Sequence, residues 1–330
     1  MPGTDPVEST LIVRGELGEP HLPHLVQLPA RGVGSDDVGR TASMLEGLFV
    51  DVQPFGWRLV DRPGQDHRRA TSALATDLNV LADVIGGEDQ PGDTLKIQLR
   101  GPLAMASSLY LHHGERALSD AGARRDLADS LASGAAGHVA DVLRTSGSRE
   151  LTVVVEEPGL SDILGGTVPT ASGYRTLRSV PRHEVAQAWR TLADAVRAAG
   201  AAHVVIAPAV RAVDLRAVFD AAASAGADGT CLPLASLDRA GWERAAETIE
   251  AGRQLWLGLL DPAREVPGVV ASVQRILTPW RQLGLTEASL GALTLLPAAG
   301  LAGTAPDAAR RLLLALTRTA EALNQVRAEA

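Results

Sequence analysis

The feature that most constrains the fold of this chain is an alternation of short apolar runs with longer segments of helical period. The short runs are rich in β-branched residues and have the length of strands. In the longer segments, apolar residues recur at three- and four-residue spacing, as on one face of a helix. The seven predicted strands lie near 48–52 with an extension to 60, 95–99, 151–155, 203–207, 229–234, 255–260 and 292–296. The predicted helices lie near 66–84, 116–145, 182–199, 215–225, 239–251, 269–283 and 306–327.

This alternation is typical of a parallel sheet covered by helices. In a chain of 330 residues, it favours an α/β fold of the (β/α)8 TIM barrel type, with one strand missing or disguised, over a doubly wound open sheet. No Gly-x-Gly-x-x-Gly follows the first predicted strand, so the dinucleotide-binding alternative lacks its phosphate-binding turn. The longest polar stretch, 86–93, has the length of a loop rather than of a linker. We therefore expect residues 1–330 to form a single domain.

The composition argues against two classes of partner. The net charge is −8 and aromatic residues make up 3% of the chain. The arginines are scattered along the predicted helices, so neither a basic patch nor a set of stacking rings indicates nucleic-acid binding. No run of about 20 apolar residues is available to span a bilayer, and the first residues lack the parts of a signal peptide. We expect a cytoplasmic protein without nucleic-acid or membrane partners, and the sequence leaves its oligomeric state open.

Two reactive residue types occur once each. Cys231 is the single cysteine, which excludes an internal disulfide and leaves too few thiolates for a cysteine-based zinc or iron–sulfur site. Its simplest interpretation is a small, buried, apolar side chain. Lys96 is the single lysine among 31 basic residues. A Schiff-base mechanism would have only this candidate, and the simpler interpretation is a lysine at the start of a strand.

Polar residues at the carboxyl ends of the predicted strands are the candidates for a functional site, because the chemistry of a parallel barrel lies at that end. Glu156 and Glu157 follow an apolar strand, so at least one carboxylate is expected to point into the barrel mouth. Arg100 follows the preceding strand, where a guanidinium can bind a ligand carboxylate. The alternative for Arg100 is an internal ion pair with one of the two glutamates.

Several segments, in order along the chain, resemble motifs of the cobalamin-independent methionine synthase family. The segment Val-Val-Val-Glu-Glu-Pro-Gly-Leu resembles the family strand that ends in Asp-Glu-Pro. The others are Leu-Pro-Ala-Arg-Gly-Val-Gly-Ser-Asp from Leu28, Gly-Trp-Arg-Leu-Val-Asp-Arg-Pro-Gly from Gly56, Lys-Ile-Gln-Leu-Arg-Gly-Pro from Lys96, Leu-Trp-Leu-Gly from Leu255 and Pro-Ala-Ala-Gly-Leu-Ala-Gly from Pro297. The similarity spans nearly the whole chain and is closest to short, single-barrel members.

The resemblance carries expectations about fold and activity. It implies a barrel of the uroporphyrinogen decarboxylase/methionine synthase-like type and methyl transfer from a methylfolate to a thiol such as homocysteine. It also implies that Glu156 and Glu157 hold the amino group of the substrate.

The resemblance does not extend to the zinc ligands of the family. Members bind zinc through a His-x-Cys, an acidic residue and a cysteine near the C-terminus. The matching positions here are Val204, Ile206, Leu234 and Ala299. Hydrocarbon side chains provide none of the nitrogen, oxygen or sulfur ligands that zinc needs, so we expect no metal cofactor. Because zinc activates the attacking thiol in the family, we expect the methyl-transfer activity to be lost or changed.

The start of the chain departs from the family as well. Members open with a strand that ends in Gly-Ser-x-Pro-Gly-Thr, and the match here begins after that serine, at Pro2. Three explanations stay open: the first strand is absent, another segment such as 9–14 replaces it, or the start codon is assigned incorrectly. In each case the substrate-binding serine has no counterpart in this sequence.

Two functions therefore remain, and whether the chain is an enzyme stays open. One is a divergent enzyme that keeps Glu156 and Glu157 and performs methyl transfer, or a related reaction, without zinc. The other is a non-catalytic barrel that binds a small amino-acid-like or folate-like ligand, or a protein partner. The four replaced ligand positions favour the second function.

Overall fold

A computed structural model describes residues 1–208 and 215–330 of the chain. The strands are β1 (Phe49–Gln53), β2 (Gly56–Val60), β3 (Thr94–Arg100), β4 (Glu150–Glu157), β5 (His203–Pro208), β6 (Gly229–Pro233), β7 (Gln254–Leu260) and β8 (Leu293–Pro297). The α-helices are α1 (Pro6–Glu16), α2 (Asp37–Ala42), α3 (Gln65–Gly86), α4 (Pro102–Ser108), α5 (Ala121–Ser146), α6 (Leu160–Gly165), α7 (Arg182–Ala198), α8 (Leu215–Ser224), α9 (Arg239–Glu250), α10 (Val269–Gln282) and α11 (Pro306–Ala328). Among the helices in these ranges, none combines the length and the apolar character that crossing a membrane requires.

The predicted helices are all found, with one shifted boundary. The helix expected from residue 116 begins at Ala121, because Ala117–Ser119 forms a 3₁₀ turn. Asp120 then caps the helix, since its side chain accepts a hydrogen bond from Ala123 N–H at 2.8 Å. The short helices α2, α4 and α6 were not predicted, because their six or seven residues are too few to show a helical period. The 11-residue helix α1 was not predicted either.

Six parallel strands form a curled sheet, a half-barrel, with helices packed against its convex side. The strand order is β3-β4-β5-β6-β7-β8, which is the order of the chain. Helices in the connections return the chain so that successive strands run in the same direction. The carboxyl ends of these six strands therefore meet at one rim of the sheet. The sequence predicted an eight-stranded barrel; the described residues form a curled sheet of six parallel strands, and no closed eight-stranded barrel is formed within the described residues.

The strand predicted near 48–52 does not belong to the parallel sheet. It forms β1, which pairs antiparallel with β2, and Gln53 lies opposite Gly56. The tight turn between them requires a φ of +130° at Gly56, a conformation that residues with a Cβ rarely adopt. The expectation of a parallel strand at this position is therefore wrong, and the extension to residue 60 is the second arm of a hairpin.

A short extended segment, residues 23–27, lies beside β3 at one edge of the sheet. Lys96 N–H donates to Pro23 O at 2.8 Å, and Leu25 N–H donates to Lys96 O at 2.9 Å. At the opposite edge, β8 pairs with β7 alone within the described ranges. Both edges of the half-barrel are thus formed by short segments.

Residues 9–14, one candidate for a replacement strand, are helical. They lie within α1, which Asp5 caps by accepting hydrogen bonds from Val7 N–H at 2.8 Å and Glu8 N–H at 3.2 Å. Pro6 occupies the first helical position, where its missing N–H costs nothing. The alternative in which this segment supplies the first strand is therefore wrong.

The two faces of the sheet are chemically different. On the convex face, strand residues such as Ile97, Val153 and Leu257 are at most 1% exposed and pack with the helices into one large core. A second, smaller apolar cluster on the concave face consists of Val154, Val205, Cys231 and Trp256. Because neighbouring residues in a strand point to opposite faces, the position of each strand residue decides which of the two environments it enters.

Candidate functional site

Glu156 and Glu157 end the same strand, β4, and point to opposite faces of the sheet. Val154, two residues before Glu156, lies in the concave cluster, and Val155, two residues before Glu157, lies in the helix-facing core. Glu156 is half-buried, whereas Glu157 is fully buried. Of these two carboxylates, at least one of which was predicted to point into the mouth, Glu156 faces the concave side and Glu157 faces the helices.

Glu157 is surrounded by hydrogen-bond donors. Its Oε1 accepts from Leu103 N–H at 3.2 Å and from Trp189 Nε1–H at 2.8 Å, and its Oε2 accepts from Ala104 N–H at 2.6 Å. The two backbone donors lie in the first turn of α4, where N–H groups have no partner inside the helix. Burial raises the pKa of Glu157 to about 7, although the three donors act in the opposite direction. Glu157 therefore fixes the start of α4 against α7 and is not available to a ligand.

Glu156 has a contrasting environment. Across residues 1–208 and 215–330, no hydrogen bond or ion pair reaches its carboxylate. Burial raises the pKa of Glu156, and the positive charge of Lys96 is the largest influence that opposes this shift. Glu156 is thus a half-buried carboxylate on the concave face whose hydrogen-bond donors have to come from solvent or from a ligand.

Arg100 lies beside Glu156 in the sheet register, but its guanidinium is already engaged. Its Nε donates to Asp37 Oδ2 at 2.7 Å, and its Nη1 donates to Ser108 Oγ at 2.6 Å. Asp37 belongs to the first turn of α2. The structure therefore pairs Arg100 with Asp37 rather than with Glu156 or Glu157, and it joins α2 and α4 to the end of β3.

Lys96 also lies on the concave face. It is the third residue of β3, and its neighbours Leu95 and Ile97 lie in the helix-facing core. Its side chain is half-buried, and in the described part of the chain no partner accepts a hydrogen bond from its Nζ. Burial lowers the pKa of Lys96, while Glu156 and Cys231 act against that shift. Lys96 is therefore inside the strand and near the unsatisfied Glu156, not at the solvent-facing start of the strand.

The four positions that the resemblance matches to zinc ligands lie in two different environments, the helix-facing core and the rim of the sheet. Val204 and Ile206 are fully buried in the helix-facing core. Leu234 begins a 3₁₀ turn after β6 and packs into the same core, and Ala299 borders the rim of the sheet. Their side chains carry no ligand atom, so they do not fit zinc. In the described residues, no three His, Cys, Asp or Glu side chains are grouped in a way that could hold a metal ion.

A cavity of about 580 Å³ opens at the carboxyl ends of β6, β7 and β8. Small and apolar groups such as Gly258 and Ala299 form its floor, and Asp261, Arg264 and Glu265 supply charge. Its volume suits a small-molecule ligand. The cavity lies at the same rim as Glu156 but against other strands, so the concave face offers an acidic group and an open space at separate positions.

Two residues near this face, Asp37 and His24, were missed from the sequence, whereas Cys231 is the buried, apolar side chain that the sequence predicted. Asp37 was missed because it is 63 residues from Arg100, and nothing in a single sequence links the two. His24 was missed because it lies next to a proline in a segment without strand period, yet it bridges to Lys96. Burial raises the pKa of Cys231 to about 12, so this concave-face thiol stays protonated and is a weak nucleophile.

Comparison with known proteins does not assign the chain to a family. No protein-family model matches the chain, and no curated protein matches it significantly. Chemically, the concave face combines an unsatisfied carboxylate, an amine of lowered pKa and an apolar wall. Such a set can bind a small molecule that carries both a polar group and an apolar side chain.

Proposed function

We propose that this chain is a methionine-synthase-like barrel protein that binds a small amino-acid-like ligand on the concave face of its sheet. Glu156 is the observation that carries the proposal, because its half-buried carboxylate has no partner in the described chain. A ligand ammonium group would supply the missing donors and the opposite charge. The consecutive order of six parallel strands supports the barrel assignment.

The rest of the concave face fits the remaining parts of an amino acid. No ion pair joins Lys96 and Glu156 within the described residues, so neither charged group is already paired with the other. A ligand carboxylate would accept from Lys96, and the ligand side chain would pack on Ala207 and Leu296, partly buried residues that border the concave cluster. Arg100 is not needed for binding in this arrangement, since Asp37 and Ser108 already occupy its guanidinium.

The observations favour ligand binding over methyl transfer to a thiol. An unperturbed thiol is only a few per cent ionised at neutral pH, and methyl transfer requires a group that favours the thiolate. The positions matched to zinc carry no ligand atoms. Of the two cationic groups on this face, Arg100 is paired with Asp37, and Lys96 acts on Glu156 through its charge alone. We therefore propose a binding protein of the cytoplasm rather than a methyltransferase.

Calorimetric titration with methionine, homocysteine and a methylfolate tests this proposal. We expect methionine or homocysteine to bind, and Glu156→Gln to weaken that binding by at least about tenfold, because a charge-assisted hydrogen bond is lost. Glu150→Gln is the matched control, since Glu150 begins the same strand and is exposed. The affinity of the Glu150→Gln variant for methionine or homocysteine should be unchanged. Absence of binding, equal binding by the Glu156→Gln variant, or formation of methionine from homocysteine and the methylfolate would contradict the proposal.

A further inference from the structure

The cavity at the carboxyl ends of β6, β7 and β8 is bordered by residues without large side chains. Gly258 lies in β7, and a Cβ at this position would be 2.9 Å from Ala298 Cα, so glycine allows the ends of β7 and β8 to approach each other closely. After Gly258 the register of the two strands shifts, and Ala298 N–H donates to Leu260 O at 2.8 Å. Ala299 follows with a single methyl group and is exposed. The space beyond these two strand ends therefore stays open.

The apolar part of the cavity wall is accessible to a ligand. Its accessible residues are the half-buried Pro233, Pro267 and Ala298 and the exposed Ala235 and Ala299. The volume of about 580 Å³ lies in the range of small-molecule sites. Removal of hydrocarbon from water against such a wall favours binding, so the cavity suits a ligand with a short aliphatic chain.

The charged side chains around the cavity are not all paired with each other. Arg264 Nε lies 3.4 Å from Asp261 Oδ2, and Asp261 Oδ1 also accepts from Ala263 N–H at 2.9 Å. Arg275 has no carboxylate partner in residues 1–208 and 215–330. Its Nη1 donates to Leu259 O at 3.3 Å, a long distance for such a bond. The guanidinium of Arg275 is therefore held at the end of β7 with most of its N–H groups available to a ligand.

We propose that this cavity binds a small aliphatic monocarboxylate, whose carboxylate accepts hydrogen bonds from Arg275 and whose hydrocarbon chain packs on the apolar wall. A planar guanidinium can donate two parallel hydrogen bonds to one carboxylate. The α-ammonium group of an amino acid would lie beside Arg275 and be repelled, so a simple carboxylate is favoured. Glu265, which also borders the cavity, would repel a second carboxylate. The site is separate from Glu156 on β4, and the inference therefore goes beyond the proposed binding of an amino acid.

NMR titration with hexanoate tests the inference, and 1-hexanol and hexylamine are the matched ligands of equal chain length. We expect hexanoate to bind at least about fivefold more tightly than either, because it alone accepts charge-assisted hydrogen bonds from Arg275. Arg275→Gln should weaken hexanoate binding at least about fivefold for the same reason. Arg318→Gln is the matched control, since Arg318 is likewise an exposed helical arginine and does not border the cavity. The affinity of the Arg318→Gln variant for hexanoate should be unchanged.

A second variant tests the cavity itself. Ala299→Leu places a larger side chain in the cavity from an exposed position, so hexanoate binding should weaken at least about fivefold while urea unfolding shows an intact fold. Glu156→Gln should bind hexanoate as the wild type does, and methionine should not displace it. Equal binding of hexanoate and 1-hexanol, or unchanged binding in Arg275→Gln or Ala299→Leu, would overturn the inference. Displacement of hexanoate by methionine would overturn it as well, and none of the other results requires methionine to bind.

Discussion

The two glutamates that end β4 have the same side chain and opposite surroundings. Glu157 faces the helices, is fully buried and accepts three hydrogen bonds. Glu156 faces the concave side, is half-buried and receives no donor from the described chain. The carboxylate on the convex face is thus stabilised by hydrogen bonds within the chain itself, whereas the carboxylate on the concave face still has room for hydrogen-bond donors from a ligand.

Replacing each of the two glutamates by alanine should change the free energy of unfolding by very different amounts. Glu157→Ala leaves two backbone N–H groups and the indole N–H of Trp189 buried without an acceptor, so we expect a loss of about 3–5 kcal/mol in the free energy of unfolding. Glu156→Ala removes a carboxylate that has no partner in the described chain, so the free energy of unfolding should change by less than about 1 kcal/mol. Urea unfolding followed by tryptophan fluorescence measures both. Equal losses in the two variants would show that the environments do not differ as described.

A smaller effect tests the packing that keeps Glu157 in place. A Cβ at Gly101 would overlap Glu157 Oε1, so Gly101→Ala must displace the carboxylate or the start of α4. We expect a loss of about 2–3 kcal/mol in the free energy of unfolding. Gly64→Ala is the matched control, because Gly64 also precedes a helix in extended backbone and has nothing within 4 Å of its Cβ position. Similar losses in both variants would point to a general capping effect instead.

The smallest effect concerns pH. The pKa of Glu157 is about 7 in the folded protein and near 4.5 when unperturbed. Between pH 4.5 and pH 7, the Glu157 carboxyl is protonated in the folded state and ionised in the unfolded state. The stability that comes from protonated Glu157 is therefore complete below pH 4.5 and is lost as the pH rises through 7. From pH 5 to pH 6.5, the wild type should lose about 1–2 kcal/mol more stability than Glu157→Gln. Parallel losses would mean that Glu157 is already ionised at pH 5.

Much of the fold could be predicted because the apolar patterns that indicate strands and helices lie within short stretches of sequence. The strands expected at 95–99, 151–155, 203–207, 229–234, 255–260 and 292–296 are confirmed, since a strand buried on both faces is written in the sequence as a continuous apolar run. The first predicted strand was wrongly assigned to the parallel sheet, because an apolar pattern indicates a strand but not the strand with which it pairs. Segment 23–27 escaped prediction because Pro23 interrupts the apolar pattern.

The candidate site was less predictable, because it depends on contacts between distant residues. Strand alternation indicates that one of Glu156 and Glu157 faces the mouth, but it cannot tell which without the position of α4 and Trp189. The pairing of Arg100 with Asp37 likewise depends on how α2 packs beside β3. Lys96 was judged by its nearness to a predicted boundary, whereas its environment is set by β4, β6 and the edge segment.

The short edge strand β8 has a consequence for how this molecule behaves at high concentration. Within the described ranges it pairs on one side only, and an open edge can act as a template on which a strand of another chain adds. Its five residues span only about 17 Å, and Pro297 cannot donate to such a ladder. An added strand would gain only a few hydrogen bonds, so self-association through this edge is limited by its own length.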